Sequence, residues 1–497
     1  MFDCFHKQPY GILANTNNIY IHKHMLPIVS SKKIQSPSQK KRSKEEGKAP
    51  RVKEIGNKVF FISLGCPRNL VDTEVMIGIL LQAGYEASAS LEEADYIVIN
   101  TCGFLEASRK ESVDTIKESI KNKKPTAKVV ATGCMVQNHS DRIREQCPEI
   151  HYLLGSGDVH GILKAVQAEE AGDGVTDARS FLESGEVPRT LSTPKNYAYL
   201  KIAEGCRKRC SFCIIPDIKG PLKSKNEAQI LKEIKILLDG GVSEIILIAQ
   251  DLGDFGKDAG FHKSDGLIHI LKKIMEEEKR DFWLRLMYLY PDEITDELIQ
   301  VIKSNPRICQ YLDMPIQHVS DPMLKAMRRA TSKKQIIETI AKLRRELPDV
   351  VIRTSLMVGF PGETEEQFNE LVSFVQENPL DNIGIFKYSK EEGSHSATLP
   401  NHLPEEIKQK RFEKLAKVQQ KVLLKRLKNF VGNSFDVVVE GYHPETKLLM
   451  RGRHAGQAPE VDGEVLINDG RKVSAFGKRY RVEITDVAGY DLVGRVV

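Results

Sequence analysis

Glu204-Gly205-Cys206-Arg207-Lys208-Arg209-Cys210-Ser211-Phe212-Cys213 carries three thiols at spacings x3 and x2, with an aromatic ring immediately before the last. Three thiolates from one short loop hold three corners of a cubane iron–sulfur cluster and leave the fourth iron open to a substrate. The ferredoxin run, with a fourth cysteine further on, ligates every iron and moves only electrons. Zinc sites pair two Cys-x2-4-Cys knuckles or complete a tetrahedron with histidines. Here the next thiol downstream is Cys309. Gly205, Arg207, Lys208 and Arg209 make the loop polar, which argues against three unrelated buried cysteines.

The loop follows an apolar strand, Tyr197 to Ile202, and opens a series of helix-strand repeats. Strands are expected at Glu244 to Ala249, Trp283 to Leu289, Tyr311 to Met314, Val351 to Val358 and Ile383 to Tyr388. Amphipathic helices are expected at Glu227 to Asp239, Leu267 to Glu278, Thr295 to Lys303, Pro322 to Ala330, Lys333 to Glu346 and Glu365 to Glu377. Six strands recurring with helices between them predict a parallel α/β barrel or partial barrel, whose active site lies at the C-terminal strand ends. Polar residues close each strand: Gln250-Asp251, Tyr290-Pro291-Asp292, Gln317-His318, Gly359-Phe360-Pro361-Gly362-Glu363-Thr364 and Ser389-Lys390-Glu391-Glu392-Gly393. Gly359 and Gly362 allow the close backbone approach that a flat adenine requires, although an ordinary turn would also explain them. His318 alone reads as a hydrogen-bonded structural histidine. These residues gain weight from sharing one rim.

Upstream, Val59 to Leu64 ends in Gly65-Cys66, Asp95 to Asn100 ends in Thr101-Cys102, and Lys128 to Ala131 leads to Thr132-Gly133-Cys134. Helical segments near Asp72 to Ala83 and Leu105 to Lys121 separate them, giving β-α-β-α-β with parallel strands. Ligand sites of open α/β sheets lie at the C-terminal strand edge, so Cys66, Cys102 and Cys134 are expected to converge. Small residues merely tolerated at three turns are the plain alternative. Cys4, Cys147 and Cys309 lack this placement and read as structural or surface thiols.

The domain organisation expected is a disordered basic extension over 1–57, an α/β domain over 58–168, a Gly/Glu/Ser/Thr/Pro-rich linker over 169–195, a (β/α)6 domain over 196–427 and a small barrel over 428–497. Residues 1–58 hold twelve Lys and Arg against four Asp and Glu; the whole chain is +5, so the remainder carries −3. A slightly acidic body is not coated for nonspecific nucleic-acid binding. Neither an apolar signal core nor a run of roughly 18 apolar residues occurs, which predicts a cytoplasmic protein. Nine cysteines in a chain of this size point to ligation rather than a disulfide framework.

On these motifs, residues 58 to 497 resemble the radical S-adenosylmethionine (SAM) methylthiotransferases. The resemblance implies two four-iron clusters with three cysteine ligands each. Cys206, Cys210 and Cys213 would bind the one that chelates SAM and cleaves it to a 5′-deoxyadenosyl radical. Cys66, Cys102 and Cys134 would hold an auxiliary cluster carrying the sulfur to be delivered. Phe212 would pack near the adenine, and Gln250, Gln317, Gly359 and Gly362 are the other candidates for cofactor contact. No catalytic side chain beyond the cluster ligands is implied. Leu64-Gly65-Cys66-Pro67-Arg68-Asn69 is similar to the start of the subgroup that modifies an aspartate of small-subunit ribosomal protein twelve, whereas the transfer-RNA subgroup carries Tyr-Gly-Cys-Gln-Met-Asn. Tyr388-Ser389-Lys390-Glu391-Glu392-Gly393, Gly452-Arg453 and Gln457-Ala458-Pro459-Glu460-Val461-Asp462-Gly463 fit the first subgroup too. By the same resemblance, a flavodoxin- or ferredoxin-type reductant would supply electrons.

Residues 428 to 497 read as short strands with glycine turns, at Ser434 to Glu440, Lys447 to Gly452, Gly463 to Ile467 and Tyr480 to Val487: a small antiparallel barrel resembling the TRAM domain. From Val431 it has nine Lys and Arg against ten Asp and Glu. A near-neutral barrel is a poor RNA anchor and suits a basic protein partner, which tilts the substrate from transfer RNA toward the ribosomal protein. The expected reaction is methylthiolation of an aspartyl β-carbon, consuming two SAM. The rivals are transfer-RNA adenosine methylthiolation and, from another class, an electron-carrying or cluster-storing iron–sulfur protein.

Overall fold

The computed structural model describes residues 24–25 and 56–497 apart from Arg179. The expected basic extension over 1–57, with Cys4, therefore lies outside the described residues save for 56–57 and His24–Met25, a pair antiparallel to Ile62 and Ser63 of the first sheet.

That first sheet is built from β1 (Lys58–Ser63), β2 (Glu86–Ala87), β3 (Tyr96–Thr101), β4 (Lys128–Gly133), β5 (Tyr152–Leu154) and β6 (Gly172–Gly174). Its order is β2-β1-β3-β4-β5-β6, and these strands are all parallel. The chain runs out to β2 on one side of β1 and returns to β3 on the other. A right-handed crossover then places helix α1 (Pro67–Gln82) on one face, and α2 (Glu106–Asn122) and α3 (Cys134–Gln146) on the opposite one. Strand alternation follows: Phe60, Ile62, Ile97 and Ile99 pack with α2 and α3, while Val59, Phe61 and Val98 pack with α1. The reversal of strand order falls between β1 and β3, where a doubly wound sheet opens its ligand crevice.

Part of the segment read as a linker belongs to this domain. Gly172–Gly174 extends the sheet, and Arg189 is bonded to the buried Glu74 of α1 at 2.6 Å.

The second sheet holds β7 (Tyr197–Lys201), β8 (Glu244–Ile248), β9 (Trp283–Leu286), β10 (Ile308–Asp313), β11 (Val351–Val358) and β12 (Asn382–Lys387), parallel and in sequence order. It is the open six-stranded partial barrel the repeats predict. Helices α4 (Glu227–Asp239), α5 (Asp265–Glu277), α6 (Asp296–Ser304), α7 (Lys333–Glu346) and α8 (Glu365–Glu377) cover its convex face in one apolar core. Caps mark their starts: Ser332 with Gln335 and Thr364 with Gln367 form capping boxes. A long helix not anticipated from the sequence, α9 (Glu405–Lys428), adds Phe412, Leu415 and Ala416 to that core. Its apolar positions sit among so many charged residues that their periodicity is weak.

The third unit is a closed barrel of β13 (Ser434–His443), β14 (Thr446–His454), β15 (Val465–Asp469), β16 (Arg479–Ala488) and β17 (Asp491–Val496). Four pairings are antiparallel, and β15 runs parallel to β17 to close it. The sequence reading lacked β17.

Both flanking units sit on the concave face of the second sheet. Tyr199, Ile246, Ile248 and Met287 pack against the α1 side of the first domain, and Tyr197, Tyr311 and Val351 belong to the same cluster as Val438 and Ala458 of the small barrel. Glu244, the first residue of β8, bonds to Arg285 and Arg453; Tyr311 donates to Asp462 at 2.7 Å. The small barrel is thereby held toward the strand starts, leaving the strand ends to the first domain. Among the described residues no helix is long and apolar enough to cross a membrane.

Candidate active site

The loop after β7 is shaped by Gly205. Its φ is +76°, and a Cβ there would run into the carbonyl of Pro221. Downstream, Ser211 donates N–H to Met327 O at 3.1 Å and Oγ to Ala326 O at 2.8 Å, while Ser396 N–H donates back to Ser211 O at 2.7 Å. Lys208 is held by Glu293 at 2.9 Å, Asp292 at 3.3 Å and Asp251 at 3.4 Å. Asp251, Asp254 and Glu293 have a spacing that could hold a cation, but the ammonium groups of Lys208 and Lys257 already serve them. Burial, with the neighbouring carboxylates, lifts the Asp251 carboxyl to about 7 against the opposing pull of Lys208.

Around the thiols, Tyr290 Oη lies 3.3 Å from Cys210 Sγ, Arg329 Nη1 lies 3.6 Å from it, and the guanidinium stacks 3.8 Å from the Tyr290 ring centroid. Cys213 Sγ accepts the Ile215 N–H at 3.4 Å. Burial pushes Cys206 up to about 11 and Cys213 up to about 12, so a metal must displace their protons to bind.

Cys66, Cys102 and Cys134 leave the ends of the adjacent strands β1, β3 and β4 and converge, as read from the sequence. Gly65, at φ +88°, lies so close that its missing Cβ would stand 2.9 Å from Cys102 Sγ. Asn69 ties the three turns: its amide donates to Leu64 O at 2.8 Å and Thr101 O at 3.0 Å, and its Oδ1 lies 3.8 Å from Cys134 Sγ. Burial raises the Cys102 thiol to about 12, reinforced by the charges of Cys134 and Cys66. Cys66 differs. Burial would raise it too, but Arg68 and the N–H groups of Asn69 and Arg68, at the N-terminus of α1, outweigh that and lower it.

The two sets face each other. Ile214 and Ile218, directly after Cys213, form one buried cluster with Cys134, flanked by Phe104. Beneath them Lys219, pushed well up, and Lys201 share the carboxylates of Asp72 and Glu204; burial opposes the Glu204 charge, but the two lysines hold its carboxyl down at about 2. Arg109 of α2 meets Glu391, beyond β12, at 2.6 Å in a buried pair. Cys147 and Cys309 are buried in apolar clusters, so among the described residues each set has three thiols. Three sulfur donors, with no fourth among the described residues, suit a cubane with one free iron.

The other rim residues are partly gathered. Phe212 packs with Met323, Met327, Phe360 and Tyr388. Gln250 keeps both amide atoms buried without a hydrogen-bond partner, an arrangement a bound ligand would relieve. Gln317 adopts φ +70° and pairs with β11 through Ser355 O and Met357 N–H. Gly359 leaves room for the Lys408 side chain, and Gly362 bonds to Asn401 O in a turn. His318 is structural, as read: its Nδ1 accepts from Val319 and Ser320 N–H, so Nε2 carries the proton and donates to Glu363. Tyr290 and Arg329 escaped the sequence reading as partners of Cys210, because their approach depends on strand ends that only folding brings together.

A six-stranded parallel partial barrel with a three-cysteine loop after its first strand is the frame of a radical SAM enzyme. Residues 200–375 match the radical SAM superfamily, 58–155 the uncharacterized protein family UPF0004, and 431–497 the TRAM domain. The chain is 64% identical over 476 residues to the ribosomal protein uS12 methylthiotransferase RimO of Protochlamydia amoebophila, covering 95% of this chain and 100% of that one. It is 44% identical over 448 residues to the protein of that name from Bdellovibrio bacteriovorus, covering 88% and 97%. A solved structure of the radical SAM methyltransferase TsrM from Kitasatospora setae, with tryptophan and a SAM analogue, shares the fold at TM-score 0.50 and 14% identity, over 66% of this chain and 73% of that one. The chain belongs to the uS12 methylthiotransferase family of radical SAM enzymes. It is an iron–sulfur, SAM-dependent methylthiotransferase.

Proposed function

We propose that this enzyme transfers a methylthio group to the β-carbon of an aspartyl residue in small-subunit ribosomal protein twelve, consuming two SAM. The observation that carries the reading is the opposition of two three-thiol sets across one buried boundary, with Cys134 packed on the residues that follow Cys213. Cys206, Cys210 and Cys213 would hold a cluster with one open iron, and Cys66, Cys102 and Cys134 a second. When bound, the first supplies the radical that an unacidic C–H demands and the second supplies sulfur.

The chain's own residues position, shield and tune. Tyr290 and Arg329 direct donors at Cys210 Sγ, which stabilises thiolate charge there. Lys208 and its carboxylates fix the loop. Ile214, Ile218 and Phe104 keep water from the space between the sets. Gln250, with unmet donors and an unmet acceptor, Gln317, Phe212 and the turn of Gly359 and Gly362 line the rim assigned to SAM. The near-neutral barrel favours a basic protein over RNA. A flavodoxin- or ferredoxin-type protein is the reductant this reading requires, and the cytoplasm its location.

Reconstituted enzyme, incubated separately with the ribosomal protein and with transfer RNA, should add about 46 Da (CH3S replacing H) to the protein alone. A gain on RNA and none on protein overturns the substrate assignment. Two clusters without any 5′-deoxyadenosine on reduction with SAM would instead reveal an electron carrier.

A further inference from the structure

Buried and half-buried cations crowd the boundary between the cysteine sets, and nearly all are neutralised, while Arg207 and Arg209 of the loop are exposed. Lys201 and Lys219 share Asp72 and Glu204; Lys208 has Asp251, Asp292 and Glu293; Arg353 has Asp313 at 3.1 Å; Arg109 has Glu391. Arg329 has no carboxylate, but its fork is spent on Cys210 Sγ, Pro315 O and the Tyr290 ring. Arg68 is different. Nη1 donates to Ala249 O at 2.7 Å, and the guanidinium lies 4.9 Å from the Tyr288 ring centroid. Among the described residues no carboxylate pairs with it.

Its position is equally specific. Arg68 stands in the first turn of α1, two residues after Cys66, and reaches the end of β8 in the other domain. Cys66 and Cys134 on one side, and Cys213 on the other, all feel its charge. The Tyr288 ring beside it comes from a residue held at φ +66°, a strained conformation for an aromatic residue of the kind that collects at functional sites. A guanidinium offers five N–H donors in a planar fork that matches a carboxylate bidentately. One donor is used on Ala249 and another interacts with the Cys66 thiol two residues back, which leaves part of the fork for an incoming anion. A partly desolvated cation whose neighbours are thiols and no carboxylate is costly, and an incoming carboxylate relieves it.

We propose that Arg68 is the specificity-determining residue that receives the side-chain carboxylate of the aspartyl substrate. The inference rests on the substrate reading above and deepens it. In an aspartyl residue the reacting β-carbon is bonded directly to the carboxylate carbon. Anchoring the carboxylate on Arg68 therefore sets that carbon between the two cysteine sets, where hydrogen removal and sulfur delivery both have to reach it. A neutral amide in place of the carboxylate would lose the paired, charge-assisted bonds.

The test is equilibrium binding without turnover. Cluster-loaded wild type, Arg68→Met and Arg68→Lys, with SAM but no reductant, are titrated with fluorescent ribosomal protein twelve and with its form in which the target Asp is Asn. Wild type should prefer Asp by about 10- to 100-fold; in Arg68→Met the Asp protein should weaken by that factor and the Asn protein by less than about threefold, with Arg68→Lys between. An unchanged Asp/Asn ratio in Arg68→Met overturns the inference while leaving the substrate reading intact. Equal weakening of both ligands in both variants also overturns it, because Arg68 would then shape the chamber rather than read charge. Wild type binding neither form removes the substrate reading, and the inference with it.

Discussion

Two sets of three cysteines meet at one boundary, yet they are made in opposite ways. Cys206, Cys210 and Cys213 come from one loop; their spacing is local, turned by Gly205, and the distant Met327, Ala326 and Ser396 only anchor the loop through Ser211. Cys66, Cys102 and Cys134 come from three strand ends separated in sequence, and only the parallel register of β1, β3 and β4 unites them, with Asn69 as the tie. The loop brings its three thiols together within eight residues, whereas the set built on a sheet requires three strands to pair first. On the function proposed above, sulfur delivery belongs to the site whose geometry depends more on the surrounding fold.

The hardest test of that contrast is deletion. Cys210→Ala should abolish both 5′-deoxyadenosine formation and methylthio transfer; Cys66→Ala should abolish transfer while cleavage of SAM, followed by chromatography of 5′-deoxyadenosine, largely survives. Loss of cleavage in Cys66→Ala would show the two sets to be one unit.

Next comes the shared foundation. Asp72→Ala leaves Lys201 and Lys219 with Glu204 alone in a buried site, and breaking such a network should cost about 3–5 kcal/mol in denaturant unfolding. The destabilisation should reach both sets, since Asp72 lies on α1 after Cys66 and Lys219 follows Cys213 closely.

In cluster-free protein the thiols should separate by acidity. A thiol is unreactive until its proton leaves, so a raised pKa moves alkylation to higher pH and a lowered one to lower pH. At pH 8, Cys206, at about 11, is ionised to about one part in a thousand. Cys213 and Cys102, at about 12, are ionised less. Cys66, lowered, should react with iodoacetamide at least about a hundredfold faster, as read by peptide mass spectrometry. Equal rates would refute the distinct environment assigned to Cys66.

The smallest effect concerns tuning. Tyr290→Phe removes a hydroxyl donor worth about 1 kcal/mol at Cys210, which should shift the reduction potential of the loop-bound cluster about 40 mV more negative in a redox titration followed by EPR. The auxiliary cluster should not move.

Much of this architecture was legible in the chain. The cysteine loop, the six-strand repeat and helices such as Glu227–Asp239, Lys333–Glu346 and Glu365–Glu377 announce themselves through spacing, periodicity and capping residues. The short strands β5 and β6 and the closing strand β17 did not, because three residues carry too little pattern and a final strand has no turn beyond it. The glycines of the rim were visible, but their cause was not: Gly359 is set by Lys408, on a helix the periodicity concealed.

By itself the sequence determined the local chemistry: which side chains offer thiols, at what spacing, and on which strand ends they fall. Those depend on neighbours within a few residues. Only the tertiary structure decided the partnerships between distant segments: Tyr290 and Arg329 at Cys210, the packing of Cys134 on Ile214, and Arg68 held against Ala249 and Tyr288 with no carboxylate beside it among the described residues. These arise from the closure of one sheet over the mouth of another, and long-range packing leaves no periodic trace in the chain that folds into it.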